Sequence, residues 1–239
     1  MDITPDQIVY WRWGAATLNA TIVWTWVVMA VLAVGSWAIT RGLTAHEGMG
    51  RGQNILEGIV SLIERQIRDV SDQDPQPYLA FVGTLFLFIS LSNVLGIVPG
   101  YHPPTGSLST TAALALCVFV AVPVFGIRRQ GLRRYLGQYL QPSIVMLPFT
   151  IIGELSRTLA LAVRLFGNVM SGTVIAALLL GVAPLIFPVI AQMFGLLIGV
   201  IQAYIFAILA MVYIASATRA HAGPDGSDAS TQKDGHAHG

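Results

Sequence analysis

Residues 148–182 read PFTIIGELSRTLALAVRLFGNVMSGTVIAALLLGV, an apolar run whose only charged side chains are Glu154, Arg157 and Arg164. At 1.5 Å per residue this stretch makes a helix ~50 Å long, against a hydrocarbon core ~30 Å thick. Arg164 falls near its middle. A guanidinium stays protonated in proteins, and holding one at mid-bilayer costs ~3 to over ~10 kcal/mol. A chain keeps such a charge only with a partner or a task, so Arg164 organises the reading of everything around it.

The rest of the chain has the same solvent in mind. Of 239 residues, 54% are hydrophobic and 10% charged, and the mean hydropathy is +0.68. That composition excludes an ordinary soluble domain, and the separation of the apolar residues into blocks implies several spans rather than one anchor. Cys117 is the only cysteine. Within one chain it excludes a disulfide framework and a cysteine metal site, and in its apolar run it reads as a small buried hydrophobe. Asp2 and Asp6 stand where a signal peptide would be basic, so the first span reads as retained.

Five spans are expected, over about 17–40, 77–98, 109–127, 148–182 and 184–217. Trp11, Trp13, Trp24 and Trp26 crowd the start of the first, where tryptophan anchors at the interface. Residues 51–70 differ: Ile55, Ile59, Leu62, Ile63 and Ile67 recur at helical spacing with Glu57, Glu64, Arg65 and Arg68 on other faces. That pattern predicts an amphipathic helix on the membrane surface, supported modestly by the Glu64–Arg68 pair. With the amino terminus outside, Arg41, Arg51, Arg65, Arg68, the cluster Arg128, Arg129, Arg133 and Arg134, Arg219 and Lys233 all fall in the cytoplasm, leaving only Arg12 outside. The fold expected is therefore an all-α integral membrane protein: an outer segment (1–16), a membrane domain (17–218) and a cytoplasmic tail (219–239). The last two spans form a long tilted helical hairpin turning at Gly181-Val182-Ala183-Pro184. The tail is polar and Gly/Ser-rich, which predicts disorder, and His236 and His238 on it make a poor metal site.

Glu154 is the only acidic residue inside any span. Glu154, Arg157, Leu161, Arg164, Asn168 and Ser171 follow one another by steps of three and four, so the polar groups form one stripe along the helix. Glu154 can pair with Arg157 one turn away. Arg164 lies a further ~10.5 Å along the axis, too far for easy neutralisation by Glu154. Either Arg164 is a structural charge held by carbonyls or by Gln202 of the last span, or its counter-charge sits on another subunit. On the last span Gln192, Gly195, Gly199 and Gln202 share a broad face, where glycine permits close approach and an amide can hold water or an arginine.

The runs Gly153-Glu154-Leu155-Ser156-Arg157 and Leu161-Ala162-Val163-Arg164-Leu165-Phe166-Gly167-Asn168 resemble subunit a of the membrane (Fo) sector of rotary F-type ATP synthases. So do Gln202-Ala203-Tyr204-Ile205-Phe206, Asn93-Val94-Leu95-Gly96-Ile97-Val98-Pro99 and Ile22-Val23-Trp24-Thr25-Trp26, so that the resemblance spans about residues 15–218. It implies a non-catalytic stator subunit of a bacterial inner membrane. Its partners would be a ring of c subunits with mid-membrane carboxylates, peripheral-stalk b subunits near the surface helix, and lipid. No cofactor, metal or nucleic acid is implied. The translocated ion, H+ or Na+, would use two offset aqueous half-channels. Arg164 matches the arginine that separates them and promotes ion release, Gln202 the amide that faces it, and Asn168 the asparagine one turn beyond. Many members carry glutamate nine residues after that arginine, and here Thr173 stands there. Others place histidine or an acid near Gly195, also missing here. The outer half-channel is then expected to be lined by Asn93, Ser171, Thr173 and Gln192, and the inner by Glu154 and Arg157. The run Asn168-Val169-Met170-Ser171-Gly172 looks like the sodium-coupled N-type branch. Neutral oxygens hydrate a water file or a sodium ion equally well, so both ions stay open.

The main alternative is a self-contained secondary transporter with a Glu154/Arg157/Arg164 site. Against it, no inverted repeat and no central Gly/Pro break in either long span is visible. An intramembrane enzyme is disfavoured by the lack of a His-Glu-x-x-His motif, a paired catalytic acid or a Ser–His pair at membrane depth.

Overall fold

The computed structural model describes residues 9–13, 16–41, 51–71, 74–98, 100–133, 135, 137, 146–182 and 187–218. Among the described residues, two short antiparallel strands, β1 (Val9–Trp13) and β2 (Ala16–Asn19), precede six continuous α-helices. These are α1 (Ala20–Arg41), α2 (Arg51–Ser71), α3 (Gln76–Val94), α4 (Leu108–Gln130), α5 (Met146–Val182) and α6 (Phe187–Thr218). Leu95–Ile97 and Pro104–Gly106 form 3-10 turns between α3 and α4. Residues 183–186, where the expected turn of the hairpin falls, residues 1–8, and residues 219–239 with His236 and His238 lie outside the described residues.

Five helices, all but α2, are long and apolar enough to cross a membrane. The all-α membrane architecture is therefore as expected, with one correction at its start. Thr17–Asn19 pair with β1 in the register Trp11↔Leu18 and Arg12↔Thr17, so the first helix begins at Ala20. Val9, Tyr10, Trp11 and Trp13 favour a pleated strand in β1, and the four residues of β2 are too few to show a helical period. Both long helices run unbroken, α5 for 37 residues and α6 for 32.

Helices α3 and α6 share the most extensive contact, and α5 packs on α6 and α4. Leu85, Phe88 and Ile89 of α3 meet Leu161 and Leu165 of α5 and Ala203, Phe206 and Ala210 of α6 in one buried cluster. Alanine at the α6 positions lets the helices approach closely, which is how spans associate where lipid is as apolar as the core. Ile63 and Ile67 bury the apolar face of α2 against α3 and α6, leaving Glu57, Arg65 and Arg68 exposed. Gly131, at φ +82, ends α4 in a conformation that suits glycine, its N–H donating to the Ile127 carbonyl at 2.8 Å. Just before it, Gln130 Nε2 donates to the Ala217 carbonyl (3.0 Å) and Arg129 Nη1 to the Tyr78 hydroxyl (3.3 Å). These bonds tie the end of the bundle that carries α2. Cys117, expected inside, is exposed on α4. An apolar span presents similar residues to lipid and to neighbours, so its sequence does not say which face is covered.

Candidate functional site

The bundle has two ends: the α2 end, and the loop end, where the segment between α3 and α4 folds back among the helices. Arg164 lies between them on α5. It is exposed, and no ion pair or hydrogen bond is recorded for it among the described residues. Leu161, Ala162 and Leu165 take the buried face of that turn, which turns Arg164 outward beside Val163. The face continues as Leu155 and Leu159 on α5, and α6 carries exposed Met193, Phe194 and Leu197. A permanent cation thus stands between the exposed apolar side chains Leu159 and Val163 and the half-buried Asn168.

Toward the α2 end, Arg157 Nη1 donates to Glu154 Oε1 at 2.9 Å, with the two side chains 53% and 20% exposed. Its guanidinium also lies 5.9 Å from the centre of the Tyr213 ring on α6, within reach of a cation–π attraction. Glu154 is therefore engaged, leaving Arg164 without it. Gln202 is buried, 7% exposed, and its Nε2 has no hydrogen-bond partner. Arg164 and Gln202 are not joined by a hydrogen bond among the described residues.

Toward the loop end the neutral candidates share one pattern. Asn93 Nδ2 donates to the Gly199 carbonyl at 2.9 Å, and Asn93 Oδ1 accepts from Thr105 Oγ1 at 3.3 Å. Gln192 Nε2 donates to the Gly96 carbonyl at 2.6 Å. Ser171 donates to the Asn168 carbonyl and Thr173 to the Val169 carbonyl, both at 3.0 Å. In each case a backbone carbonyl takes one donor, and the side-chain oxygens of Gln192, Ser171 and Thr173, all exposed residues, keep acceptor capacity. Asn168 is half-buried beside them.

Sequence reasoning missed the segment that completes this end. Pro104, Thr105, Gly106 and Ser107 are all buried, inserted against α1, α3, α4 and α5. A Cβ on Gly106 would meet Val169 Cγ1 of α5 at 3.3 Å. Tyr101, 8% exposed, packs edge-on against Trp24 with ring centroids 4.8 Å apart. Burial pushes its phenol up to about 12, moderated by the nearby Ser92 hydroxyl. Paired prolines followed by small hydroxyl residues were the available signal, but such a segment reads equally as a surface turn. Among the described residues no group of three His, Cys, Asp or Glu side chains could hold a metal.

The model of the ATP synthase A chain family matches residues 22–215. The chain belongs to this family. ATP synthase subunit a 2 of Acaryochloris marina is 64% identical over 219 residues, 92% of this chain and 94% of that protein. ATP synthase subunit a of Albidiferax ferrireducens is 59% identical over 219 residues, 92% and 95% of the two chains. ATP synthase subunit a 1 of Crocosphaera subtropica is 58% identical over 216 residues, covering 90% and 94%. As an ATP synthase A chain the protein is a multi-pass membrane subunit, non-catalytic by itself.

Proposed function

We propose that this subunit is the ion-translocating stator of a rotary ATP synthase in a bacterial inner membrane, forming two aqueous half-channels against a ring of c subunits. The observation that carries the reading is Arg164, exposed on an apolar face with its nearest intramembrane acid, Glu154, already paired. A membrane-buried cation without a partner among the described residues fits one whose counter-charge arrives on a neighbour. Opposite charge lowers a carboxyl pKa, so a ring carboxylate passing Arg164 would favour release of its ion. The same charge blocks direct leakage between the channels. One charge crossing 100 mV releases ~2.3 kcal/mol, which rotation delivers to ATP formation.

The loop end is the outer one by the distribution of arginines, with the amino terminus outside and the carboxyl terminus cytoplasmic. There Asn93, Gln192, Ser171 and Thr173 line the outer half-channel, with Asn168 next along toward Arg164 and Gln202 as the amide that faces the arginine. Glu154 and Arg157 line the inner one, and α2 sits where peripheral-stalk b subunits would dock. Oxygens whose companion donors are engaged suit a hydrated proton or a sodium ion, and the sodium-coupled branch is the reading the Asn168–Gly172 run favours. A self-contained transporter would need Glu154 free for cargo, and it is held at 2.9 Å by Arg157.

The test is ATP-driven ion uptake into vesicles holding the whole complex, with and without sodium and with a protonophore. Sodium uptake that survives or rises with the protonophore assigns sodium. Sodium-independent acidification that collapses with it assigns protons. ATP hydrolysis by the intact complex with neither uptake would overturn the stator reading.

A further inference from the structure

Next to Asn93 the structure buries three polar groups that find no partner in the protein. The Trp24 indole N–H of α1, the Ser92 hydroxyl of α3 and the Tyr101 hydroxyl of the following segment are each screened from solvent, and none has a well-formed hydrogen bond among the described residues. Ser92 is 0% exposed and Tyr101 8%. The Trp24 and Tyr101 rings touch at a centroid separation of 4.8 Å and an interplanar angle of 71°. Ser92 stands close enough to Tyr101 to perturb it, yet the pair falls short of a well-formed hydrogen bond.

Each unsatisfied buried group costs ~1–3 kcal/mol, so three in one corner need an explanation. Their chemistry supplies it. An indole N–H only donates, while a phenol and a serine hydroxyl both donate and accept. Water joined to two to four polar partners is the usual occupant of such a place. A water molecule can accept from an indole N–H or a phenol and donate to a serine hydroxyl, and a hydrocarbon chain could satisfy none of them. Asn93 follows Ser92 directly, and its amide is committed to Gly199 and Thr105, so the corner abuts the candidate outer path.

We propose that Trp24, Ser92 and Tyr101 hold ordered water that extends the outer half-channel from Asn93 toward α1. The inference rests on the assignment of Asn93 to that channel. It makes Ser92 and Tyr101 positioning residues for hydration of the incoming ion, where α1 and α3 meet the segment before α4.

The experiment uses the whole complex in right-side-out membranes, with Cys117→Ala to remove the native thiol. Ser92→Cys and Asn93→Cys are introduced separately, silver ion is added outside, and thiols that escape it are counted with a maleimide after denaturation. Protection of both from the maleimide is the expected result. Protection of Asn93→Cys alone overturns the inference and leaves the half-channel standing. Protection of neither overturns both. Protection of Ser92→Cys alone means a wet corner with no link to the channel, which also overturns the inference. As a second variant, Tyr101→Phe removes one hydrogen-bonding group with little change of shape. It is expected to raise the external ion concentration for half-maximal ATP synthesis by about two- to tenfold, the equivalent of one net hydrogen bond. The internal ion dependence of ATP-driven pumping stays unchanged. Equal shifts on both sides, or none, would contradict the proposal.

Discussion

Gly195 and Gly199 lie four residues apart on α6, and the structure separates them sharply. A Cβ on Gly195 would meet nothing within 4 Å, whereas one on Gly199 would lie 2.9 Å from Asn93 Cβ and Cγ and 3.1 Å from its Nδ2. Carbon atoms rest at ~3.5–4.0 Å, so Gly199→Ala must push α3 from α6 or turn Asn93 aside. Either movement breaks the 2.9 Å bond from Asn93 to the Gly199 carbonyl. Overpacking costs ~1–3 kcal/mol, and the lost bond adds ~0.5–1.5 kcal/mol. Both alanines gain ~1 kcal/mol of helix propensity over glycine. That gain cancels in the comparison, so Gly199→Ala should be about 2–4 kcal/mol less stable than Gly195→Ala. Reversible unfolding in mixed micelles of mild detergent and dodecyl sulfate, followed by tryptophan fluorescence, reads the difference. Equal stability of the two variants would refute the close approach of Asn93.

Gln202→Leu removes a buried amide whose Nε2 is unpaired. Stability in the same micelles is expected to be unchanged or to rise by about 1 kcal/mol, while ion-driven ATP synthesis falls without vanishing; full coupling would reduce Gln202 to packing. At the other end, a Cβ on Gly126 would sit 2.5 Å from Tyr135 Cε2 and 3.3 Å from the Ala217 carbonyl. Gly126→Ala should cost ~1–3 kcal/mol, and less in a chain that also carries Tyr135→Ala; strictly additive losses would argue against the contact. Arg157→Ala breaks a pair in which the arginine side chain is 53% exposed, so a stability loss below ~1 kcal/mol is expected, and a loss several times larger would show that the pair is desolvated.

The two long helices were legible because α5 and α6 are apolar runs too long for anything but spans, and α2 because Ile59, Ile63 and Ile67 repeat at helical spacing opposite charge. The Glu154–Arg157 pair followed from a three-residue step on one helix. What the sequence withheld was tertiary. Asn93 reaches a backbone carbonyl on α6, more than a hundred residues away, and periodicity within one helix cannot name a partner on another. The burial of Tyr101 and Thr105 was hidden for a related reason: the polar loop residues that contain them are stabilised by the helices they wedge between. Cys117 faces outward because lipid and protein interior demand the same residues, so an apolar pattern marks a span without marking its covered side.

The most direct test of the stator account replaces Arg164 in the assembled complex. With Arg164→Ala, and equally with Arg164→Lys, which lacks the planar, permanently charged fork, the complex is expected to assemble with ring and stalk in place. ATP-driven ion uptake and ion-driven ATP synthesis should both be abolished. Normal coupled transport by the alanine variant would contradict the account, because no other cation on α5 or α6 stands at that depth to do the same work.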